Sequence, residues 1–354
     1  MLINNFDYTL ITANYYLPNS IKSKEYCIDN MKPLLEIPLN MVIFTHKELY
    51  NEIYEYRANV ISNHETITKY EIIELCDLEL YKYKNNIKTF EPRRTPEHDI
   101  ICGSKATFVL KILDQNPFNT TNFCWIDSHV ETNFKKMCEN FTPNILYKIF
   151  AKISDDKMHI QLMNLPEEKF IYPENRIEYY KHRRYTVSGG FYVGKAPVLN
   201  KILTKLKSIW INDVLNYYVR GDEMLFINLF YENRDDFIFS YGDYKQILNN
   251  FLKPVLNFEY IYEFLLKKLC NYNLYSETIL CCNNLLKQYD KYNITIDYTI
   301  YLNLLIYKFI ALYYIDQSSA NIMNKYIKSL INTNKKIYES YTKNLNFYNN
   351  VLKY

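Results

Sequence analysis

Several features that classify a protein quickly are scarce or absent in this chain of 354 residues. Its 42 basic residues barely outnumber its 39 acidic ones and form no long block, which argues against nucleic acid as the main partner. No basic region followed by an apolar core opens the chain, so a secretory signal is not expected. The most apolar stretch, residues 302–315, carries Lys308 and is shorter than the roughly 20 residues that cross a bilayer. No transmembrane segment is therefore predicted.

Cysteine and glycine are informative through their spacing. The eight cysteines include no C-x-x-C pair and no histidine partner at zinc-finger spacing, which predicts reduced thiols and a cytoplasmic location. Of only six glycines, three lie within residues 185–195. Glycine concentrated in this way indicates a backbone that turns sharply or approaches a ligand closely.

Short apolar runs alternate with helical patterns over the first 250 or so residues. The alternation is typical of an α/β fold, a mostly parallel sheet flanked by helices, in which ligands bind beyond the carboxyl ends of the strands. The segment 154–184 has no sustained period and is interpreted as a surface excursion or a lid. The predicted strands are 8–13, 41–45 and 123–127, and the predicted helices are 21–35, 47–57, 105–113 and 197–219.

The character of the chain changes near residue 254. Glycine disappears and apolar residues recur at helical spacing, which predicts four to five antiparallel helices, with a tetratricopeptide-like arrangement as one form. Two domains are therefore expected: residues 1–252 carry the chemistry, and residues 253–354 form a helical region that is structural, binds a partner or self-associates.

The stretch N-F-C-W-I-D-S-H-V, residues 122–130, combines a buried strand with two potential metal ligands, Asp127 and His129. Side chains two residues apart on an extended segment point to the same face, so both can reach one ion. A carboxylate with an imidazole suits Mn²⁺ better than Mg²⁺. Such a cation neutralises the diphosphate that leaves a sugar nucleotide. The alternative is a chance tripeptide in which Asp127 caps a helix.

The order and spacing of further motifs resemble the bacterial HtrL/YibB family of glycosyltransferase-like proteins. The resemblance covers roughly residues 8–250 and implies a GT-A fold, a nucleotide-sugar donor and a divalent metal. Small residues follow W-I-D in the family pattern, so His129 is a departure or replaces a second carboxylate. The motifs are L-I-T-A-N-Y-Y, N-M-V-I-F-T, Arg57 at a helix end, Lys105 ahead of W-I-D, S-G-G-F-Y-V-G, G-D-E and Y-G-D-Y.

The resemblance also implies residues that bind the donor. Thr12, Ala13 and Asn14 would form the floor under the nucleoside, with a simple strand end as the alternative. Arg57 and Lys105 would neutralise phosphates, although basic residues at helix ends are more often solvated.

The resemblance implies further site residues in three motifs: the glycine cluster S-G-G and the two later acidic motifs, G-D-E and Y-G-D-Y. Ser188, Gly189 and Gly190 would approach the donor sugar or its diphosphate, with a hairpin turn as the alternative. Asp222 or Glu223 would be the general base in an inverting reaction, or would orient the sugar in a retaining one. Asp222 could instead cap a helix. Asp243 would contact the metal or a phosphate, unless Y-G-D-Y is only a turn.

Three functions are compatible with these residues. The first is a metal-assisted hexosyltransferase that moves a sugar from a nucleotide diphosphate, expected to be a UDP-sugar, to a hydroxyl of a glycan, lipid or protein. The alternative is a non-catalytic interaction protein with a degenerate glycosyltransferase domain and a partner-binding helical tail. A nucleotide hydrolase that uses the same metal is the third.

Overall fold

The computed structural model describes most of the chain. The described ranges are 7–18, 22–90, 94–129, 143–153, 156–163, 167–181, 186–241, 247–252, 266–271, 273–292 and 298–343.

A seven-stranded sheet forms the centre of the first part of the chain, in the order β3-β2-β1-β4-β6-β5-β7. Strands β1 to β4 are parallel to one another, and β6 is antiparallel to both β4 and β5. The strands are β1 (Tyr8–Asn14), β2 (Met41–Thr45), β3 (Thr68–Ile72), β4 (Asn122–Ile126), β5 (Met158–Leu162), β6 (Val187–Lys195) and β7 (Phe237–Tyr241).

The central strands are mostly apolar, which suits a sheet whose two faces are both covered by helices. Every residue of β2 and of β4 is buried, as expected for a strand covered on both sides. The helices of this part are α1 (Lys24–Leu35), α2 (Lys47–Val60), α3 (His64–Ile67), α4 (Pro96–Gln115), α5 (Pro143–Phe150), α6 (Pro173–Lys181), α7 (Ala196–Asn216), α8 (Phe226–Glu232) and α9 (Ile247–Leu252).

The two faces of the sheet have different cores. Side chains of α1, α5 and α9 pack on Leu10, Ile126 and Phe191 on one face. On the other face Phe108 of α4 stacks on Trp125, with ring centroids 6.2 Å apart. The second face is the one on which the candidate site is built.

Helix α4 is well specified by its sequence and lies close to α7. Thr95 caps its first turn by accepting a hydrogen bond from the His98 N–H, and Pro96 occupies the first turn. A Cβ at Gly103 would lie 2.4 Å from Trp210 Nε1 of α7, so glycine permits this close approach.

The segment 154–184 differs from its prediction as a surface excursion or a lid. It contributes β5, whose five residues are all buried, and α6. The strand was missed because it reads M-H-I-Q-L, in which His159 and Gln161 are buried polar residues. Helix α6 is anchored by Arg176, which donates to the Asp213 carboxylate of α7.

The chain divides into two compact units, Met1–Ser240 with Tyr244–Leu252 and Tyr241–Asp243 with Lys253–Tyr354. From residue 266 onward the described residues of the second unit are helical apart from short connections, with a core that includes Leu302, Phe309 and Ile327. Its helices are 266–271, Tyr275–Tyr292, Tyr298–Ile315, Gln317–Thr333 and Lys335–Lys343. The predicted fold class, a mostly parallel α/β sheet followed by a helical region, is confirmed.

One helix among the described residues, Tyr298–Ile315, is long and apolar enough to cross a membrane by length and composition. Its 18 residues have a mean hydropathy of 1.3, and 39% of them are buried. The helix is longer than the apolar stretch read from the sequence, because it begins four residues earlier (302 − 298). The absence of a transmembrane segment remains a prediction.

Candidate active site

Asp127 lies directly beyond the carboxyl end of β4, where α/β sheets place ligands. Its backbone N–H donates to the Gly190 carbonyl at 2.9 Å. Its Oδ1 accepts a hydrogen bond from Trp125 Nε1 at 2.8 Å. The ring of Trp125 is buried. The indole N–H also orients the carboxylate, a role that the sequence did not suggest.

Lys105 of α4 joins the predicted site residues. Its Nζ lies 3.0 Å from Asp127 Oδ1 and 3.2 Å from Asp222 Oδ2. It also donates to the Gly189 carbonyl at 3.1 Å. One ammonium group therefore connects β4, the glycine cluster of β6 and the turn before α8. These four residues are separated by up to 117 positions in the sequence (222 − 105).

The glycine cluster of β6, residues 188–190, allows the acidic turn, residues 221–223, to approach this strand. A Cβ at Gly189 would lie 2.3 Å from Asp222 Oδ2, a distance that no real side chain tolerates. At Gly190 the corresponding atom would lie 3.4 Å from Asp127 Oδ2, which is ordinary contact. Ser188 is fully buried, and its Oγ has no hydrogen-bond partner among the described residues. Gly189 is thus required by the Asp222 carboxylate.

The local shape of β6 explains why its glycines reach the site. Ile160 pairs with Tyr192 and Leu162 pairs with Val187, so residues 188–191 of β6 lie opposite one residue of β5. Extra residues of this kind bend a strand and redirect its side chains. The segment is therefore an irregular strand within the sheet and not the hairpin turn considered as the alternative.

Asp222 has the electrostatic properties of a proton acceptor. Burial raises the pKa of its carboxyl to about 7, Glu223 and Asp127 act in the same direction, and Lys105 opposes them. Its Oδ1 is buried and has no hydrogen-bond partner among the described residues. Glu223 is half-buried beside it. A carboxylate that titrates near neutral pH suits general base catalysis.

The charge of Lys105 is secured by the acids around it. Burial disfavours the ammonium form, but Asp127, Asp222 and Glu223 outweigh that effect and raise the pKa of Lys105 well above its ordinary value. Lys105 is therefore a permanent cation at neutral pH. In this structure its charge faces carboxylates, whereas the sequence predicted that it faces a phosphate.

His129 lies near Asp127 but is turned toward α1. Its ring meets Tyr26 edge-on at 5.7 Å, and its Nδ1 lies 3.3 Å from Lys22 Nζ. Burial, with Lys22 acting in the same direction, lowers the pKa of His129 to about 4. The imidazole is neutral at pH 7 and so has the protonation state of a metal ligand.

The described residues around Asp127 offer few ligands for a divalent cation. Within the described ranges no three His, Cys, Asp or Glu side chains converge as a metal site. Asp127 supplies one carboxylate, and its side chain is 33% exposed, whereas the imidazole of His129, predicted as the second ligand, contacts Tyr26 and Lys22. Cations at phosphate-transfer sites use one or two carboxylates together with phosphate oxygens. The residues therefore fit a cation shared with a bound diphosphate and not one held by the protein alone.

The first strand contributes less than predicted. Ala13 is half-buried, and continuing the register in which Ile11 pairs with Trp125 places it beside Asp127. Asn14 instead donates to the Cys27 carbonyl of α1 at 3.0 Å. Thr12 is fully buried and alternates onto the same face as Asn14. Of the three residues predicted to lie under the nucleoside, only Ala13 shares the face of Asp127.

Arg57 is not brought to the site, which corrects its predicted role in phosphate binding. Its guanidinium is fully buried and donates to Thr68 Oγ1 and to the carbonyls of Leu35, Ile37 and Leu39. Thr68 begins β3 and residues 35–39 precede β2, so Arg57 lies at the amino edge of the sheet. A helix that follows a strand runs back along the sheet, and its last turn therefore ends at the opposite edge.

One predicted site residue lies outside the described residues. This is Asp243, predicted as a metal or phosphate contact. Two residues that sequence reasoning missed do lie near the site. Tyr192 is fully buried beside Trp125 in the β4–β6 register, and Asp99 of α4 contacts the turn that carries Asp222. An aspartate in the apolar stretch of a helix was the available signal for Asp99.

Solved structures of glycosyltransferases are similar to this chain. The mouse xyloside xylosyltransferase 1, in its apo form, is 10% identical with a TM-score of 0.38, over 66% of this chain and 84% of that one. Core-mannan synthase A of Aspergillus fumigatus, in a Mn/GDP form, is 8% identical with a TM-score of 0.39, over 67% of this chain and 73% of that one. No curated protein matches the chain in sequence.

A family model also matches the part of the chain that carries most of the site. The family is described as bacterial protein of unknown function (HtrL_YibB), and the match spans residues 89–252. This range contains Lys105, Asp127, the glycine cluster and the Asp222-Glu223 turn. The resemblance indicated by the sequence motifs is thereby confirmed over residues 89–252, where the chain matches the model of the HtrL_YibB family.

Proposed function

We propose that the chain is a glycosyltransferase that moves a hexose from a nucleotide-diphosphate sugar, a UDP-sugar, to the hydroxyl of an acceptor. One observation carries the proposal. Lys105 bridges Asp127 and Asp222, so the predicted metal-binding strand and the predicted base meet at the carboxyl edge of the sheet. Sugar transfer needs both groups together, because the diphosphate leaves as the acceptor hydroxyl attacks.

Asp222 is the proposed general base. The acceptor oxygen bonds to the anomeric carbon while the bond from that carbon to the phosphate oxygen breaks, and the hydroxyl proton passes to the carboxylate. A pKa of about 7 lets Asp222 accept this proton at neutral pH. Attack opposite the leaving group inverts the anomeric configuration, which NMR of the product can test. Glu223, half-buried next to Asp222, orients the acceptor.

A divalent cation, Mn²⁺ in this proposal, would be held by Asp127 and His129 together with the donor diphosphate. It would supply a positive charge that offsets the charge of the leaving group. Ala13 and the backbone at Gly190 lie beside Asp127, where they would contact the donor. The helical second unit is proposed to bind a partner or to self-associate, and the enzyme to act in the cytoplasm.

A binding experiment tests the donor and the metal together. Ligands stabilise a protein according to their occupancy, so thermal denaturation can be followed with Mn²⁺ alone, UDP alone and both together. We expect a shift in Tm only when both are present, because the described residues supply too few ligands for the ion alone. A panel of nucleotide sugars then identifies the donor, and mass spectrometry detects transfer.

The outcomes separate the competing functions. Donor binding without turnover on any acceptor would favour the non-catalytic interaction protein. Release of sugar to water alone, without transfer, would favour the hydrolase. If no nucleotide sugar binds with or without Mn²⁺, the proposed function is wrong.

A further inference from the structure

A buried carboxylate outside the proposed chemistry lies against the acidic turn. Asp99, in the first turn of α4, is 1% exposed. Its Oδ1 accepts from Arg94 Nη1 at 2.8 Å and from the backbone N–H of Gly221 at 3.3 Å. Burial raises the pKa of Asp99 to about 6, with Arg94 opposing. A buried acid of this kind is costly, so its contacts need a physical explanation.

The residue that Asp99 contacts is the one that sets the path of the turn. Gly221 has a φ of 75°, which only glycine adopts at low cost. A Cβ there would lie 2.8 Å from Glu223 Oε2 and 2.9 Å from Arg94 Nη1. Gly221 immediately precedes Asp222, so a displacement of its N–H moves the Asp222 backbone as well. Leu225 N–H closes the turn on the Asp222 carbonyl at 3.0 Å.

The Asp222 carboxylate is closely confined. Its Oδ2 lies 3.2 Å from Lys105 Nζ, and the same atom occupies the space that a Cβ on Gly189 would need. Lys105 and Asp99 belong to the same helix, α4. A contact between Asp99 and Gly221 therefore fixes the acidic turn to the helix that carries its counter-ion.

We propose that Asp99 is a positioning residue, which holds the Gly221 N–H so that Asp222 and Glu223 face the reacting groups. The inference rests on the proposed function in that Asp222 is the base. Asp99 itself touches neither donor nor acceptor. Its effect passes through the backbone of the turn, and the oxygen that accepts the hydrogen bond matters more than its charge.

Two substitutions separate the hydrogen bond from the charge. Asp99→Asn keeps an oxygen that accepts from Gly221 and Arg94, whereas Asp99→Ala removes it. We expect Asp99→Ala to lower kcat by about 10- to 100-fold, as small misplacements of catalytic groups do. The Kd for UDP with Mn²⁺ should change less than about threefold, because Asp127 is not moved. Asp99→Asn should restore most of kcat.

Asp213→Asn is the matched control. Asp213 is also buried and paired with an arginine, Arg176, but contacts none of the described site residues. It should lower Tm and leave kcat unchanged well below Tm. If Asp99→Ala behaves in the same way, or if Asp99→Asn is as inactive as Asp99→Ala, the positioning role is wrong.

Hydrogen exchange gives a readout that does not depend on turnover. Asp99→Ala should accelerate exchange of the backbone amides in residues 220–225, whereas Asp99→Asn and Asp213→Asn should leave them protected. Accelerated exchange combined with no sugar transfer by the wild type would overturn the proposed function but support the contact. Unchanged exchange in Asp99→Ala would overturn the inference whatever the wild type catalyses.

Discussion

Two buried basic residues, one at each edge of the sheet, show how position decides the role of a charge. Lys105 at the carboxyl edge contacts the carboxylates of Asp127 and Asp222. Arg57 at the amino edge donates to three backbone carbonyls and to Thr68. Both were predicted to neutralise phosphates.

The hydrogen-bond partners of Arg57 and Lys105 differ in charge. Backbone carbonyls are neutral and fixed, so Arg57 satisfies acceptors that would otherwise be buried and unpaired. Carboxylates are charged and can exchange partners, so the cluster around Lys105 can respond to a ligand or a proton. The contacts of Arg57 at the amino edge therefore stabilise the fold, and the charged cluster at the carboxyl edge suits the proposed chemistry.

The largest effect on activity is expected at Asp127, at the carboxyl edge of the sheet. Asp127→Asn should lower transfer by about 100- to 1,000-fold, the usual effect of removing a charge-stabilising group from an active site. Because the side chain is one-third exposed, Tm should change little. Enzymatic assay and thermal denaturation measure the two effects. Full activity in this variant would remove the carboxyl edge from the mechanism.

Lys105→Met tests whether the ammonium tunes the base. Lys105 opposes the upward shift in the pKa of Asp222, so its removal should raise that pKa further. Asp222 must be deprotonated to act as a base, so the acid limb of the kcat profile should move to higher pH. We expect activity at pH 7 to fall at least about fivefold, because a rise of one unit from a pKa of about 7 lowers the deprotonated fraction from one half to about one eleventh. An unshifted limb would contradict the assignment of Asp222.

Arg57→Met should lower the stability of the fold and leave the activity unchanged, in contrast to the substitutions at Asp127 and Lys105. Its loss leaves buried carbonyls without donors, which costs about 3 kcal/mol or more of the free energy of unfolding. Urea denaturation measures this cost. At a temperature where the variant is folded, kcat and the Kd for UDP with Mn²⁺ should match the wild type. A specific loss of nucleotide binding would instead restore the phosphate-binding role.

The two edges should also differ in how stability depends on pH. The pKa of Asp222 is raised from an ordinary value of 3.8 to about 7, so folding favours its protonated form. The stability contributed by this group is complete below about pH 4 and is lost as the pH rises through 7. Relative to the wild type, Asp222→Asn should gain about 4 kcal/mol between pH 4 and pH 8, since each unit of the shift in pKa is worth about 1.4 kcal/mol.

Arg57 serves as the reference for this measurement. Burial lowers its pKa only to about 10, so it stays charged across the same range. Arg57→Met should therefore cost about the same at pH 4 as at pH 8. Denaturation curves of both variants at the two pH values make the comparison, and an equal pH dependence at the two edges would contradict it.

Much of the first unit could be predicted because its local signals agree. The apolar run 41–45 is a strand with the predicted bounds, and the strand before Asp127 differs by one residue at each end. The predictions from sequence were wrong where polar residues are buried. Strand β5 was not predicted, because His159 and Gln161 interrupt its apolar character. The start of α4 was predicted nine residues too late (105 − 96), because Asp99 and Gly103 interrupt the apolar pattern of the helix.

The amino-acid sequence by itself determined the fold class, which follows from periodicity, a local property. It also predicted, through motifs and a family resemblance, a site that includes Asp127, the glycine cluster and the Asp222-Glu223 pair. Only the tertiary structure decided that Lys105 contacts two carboxylates, that Arg57 lies at the opposite edge and that Asp99 holds the acidic turn. Such contacts join residues far apart in the sequence, and the direction in which each helix crosses the sheet determines which of them can form.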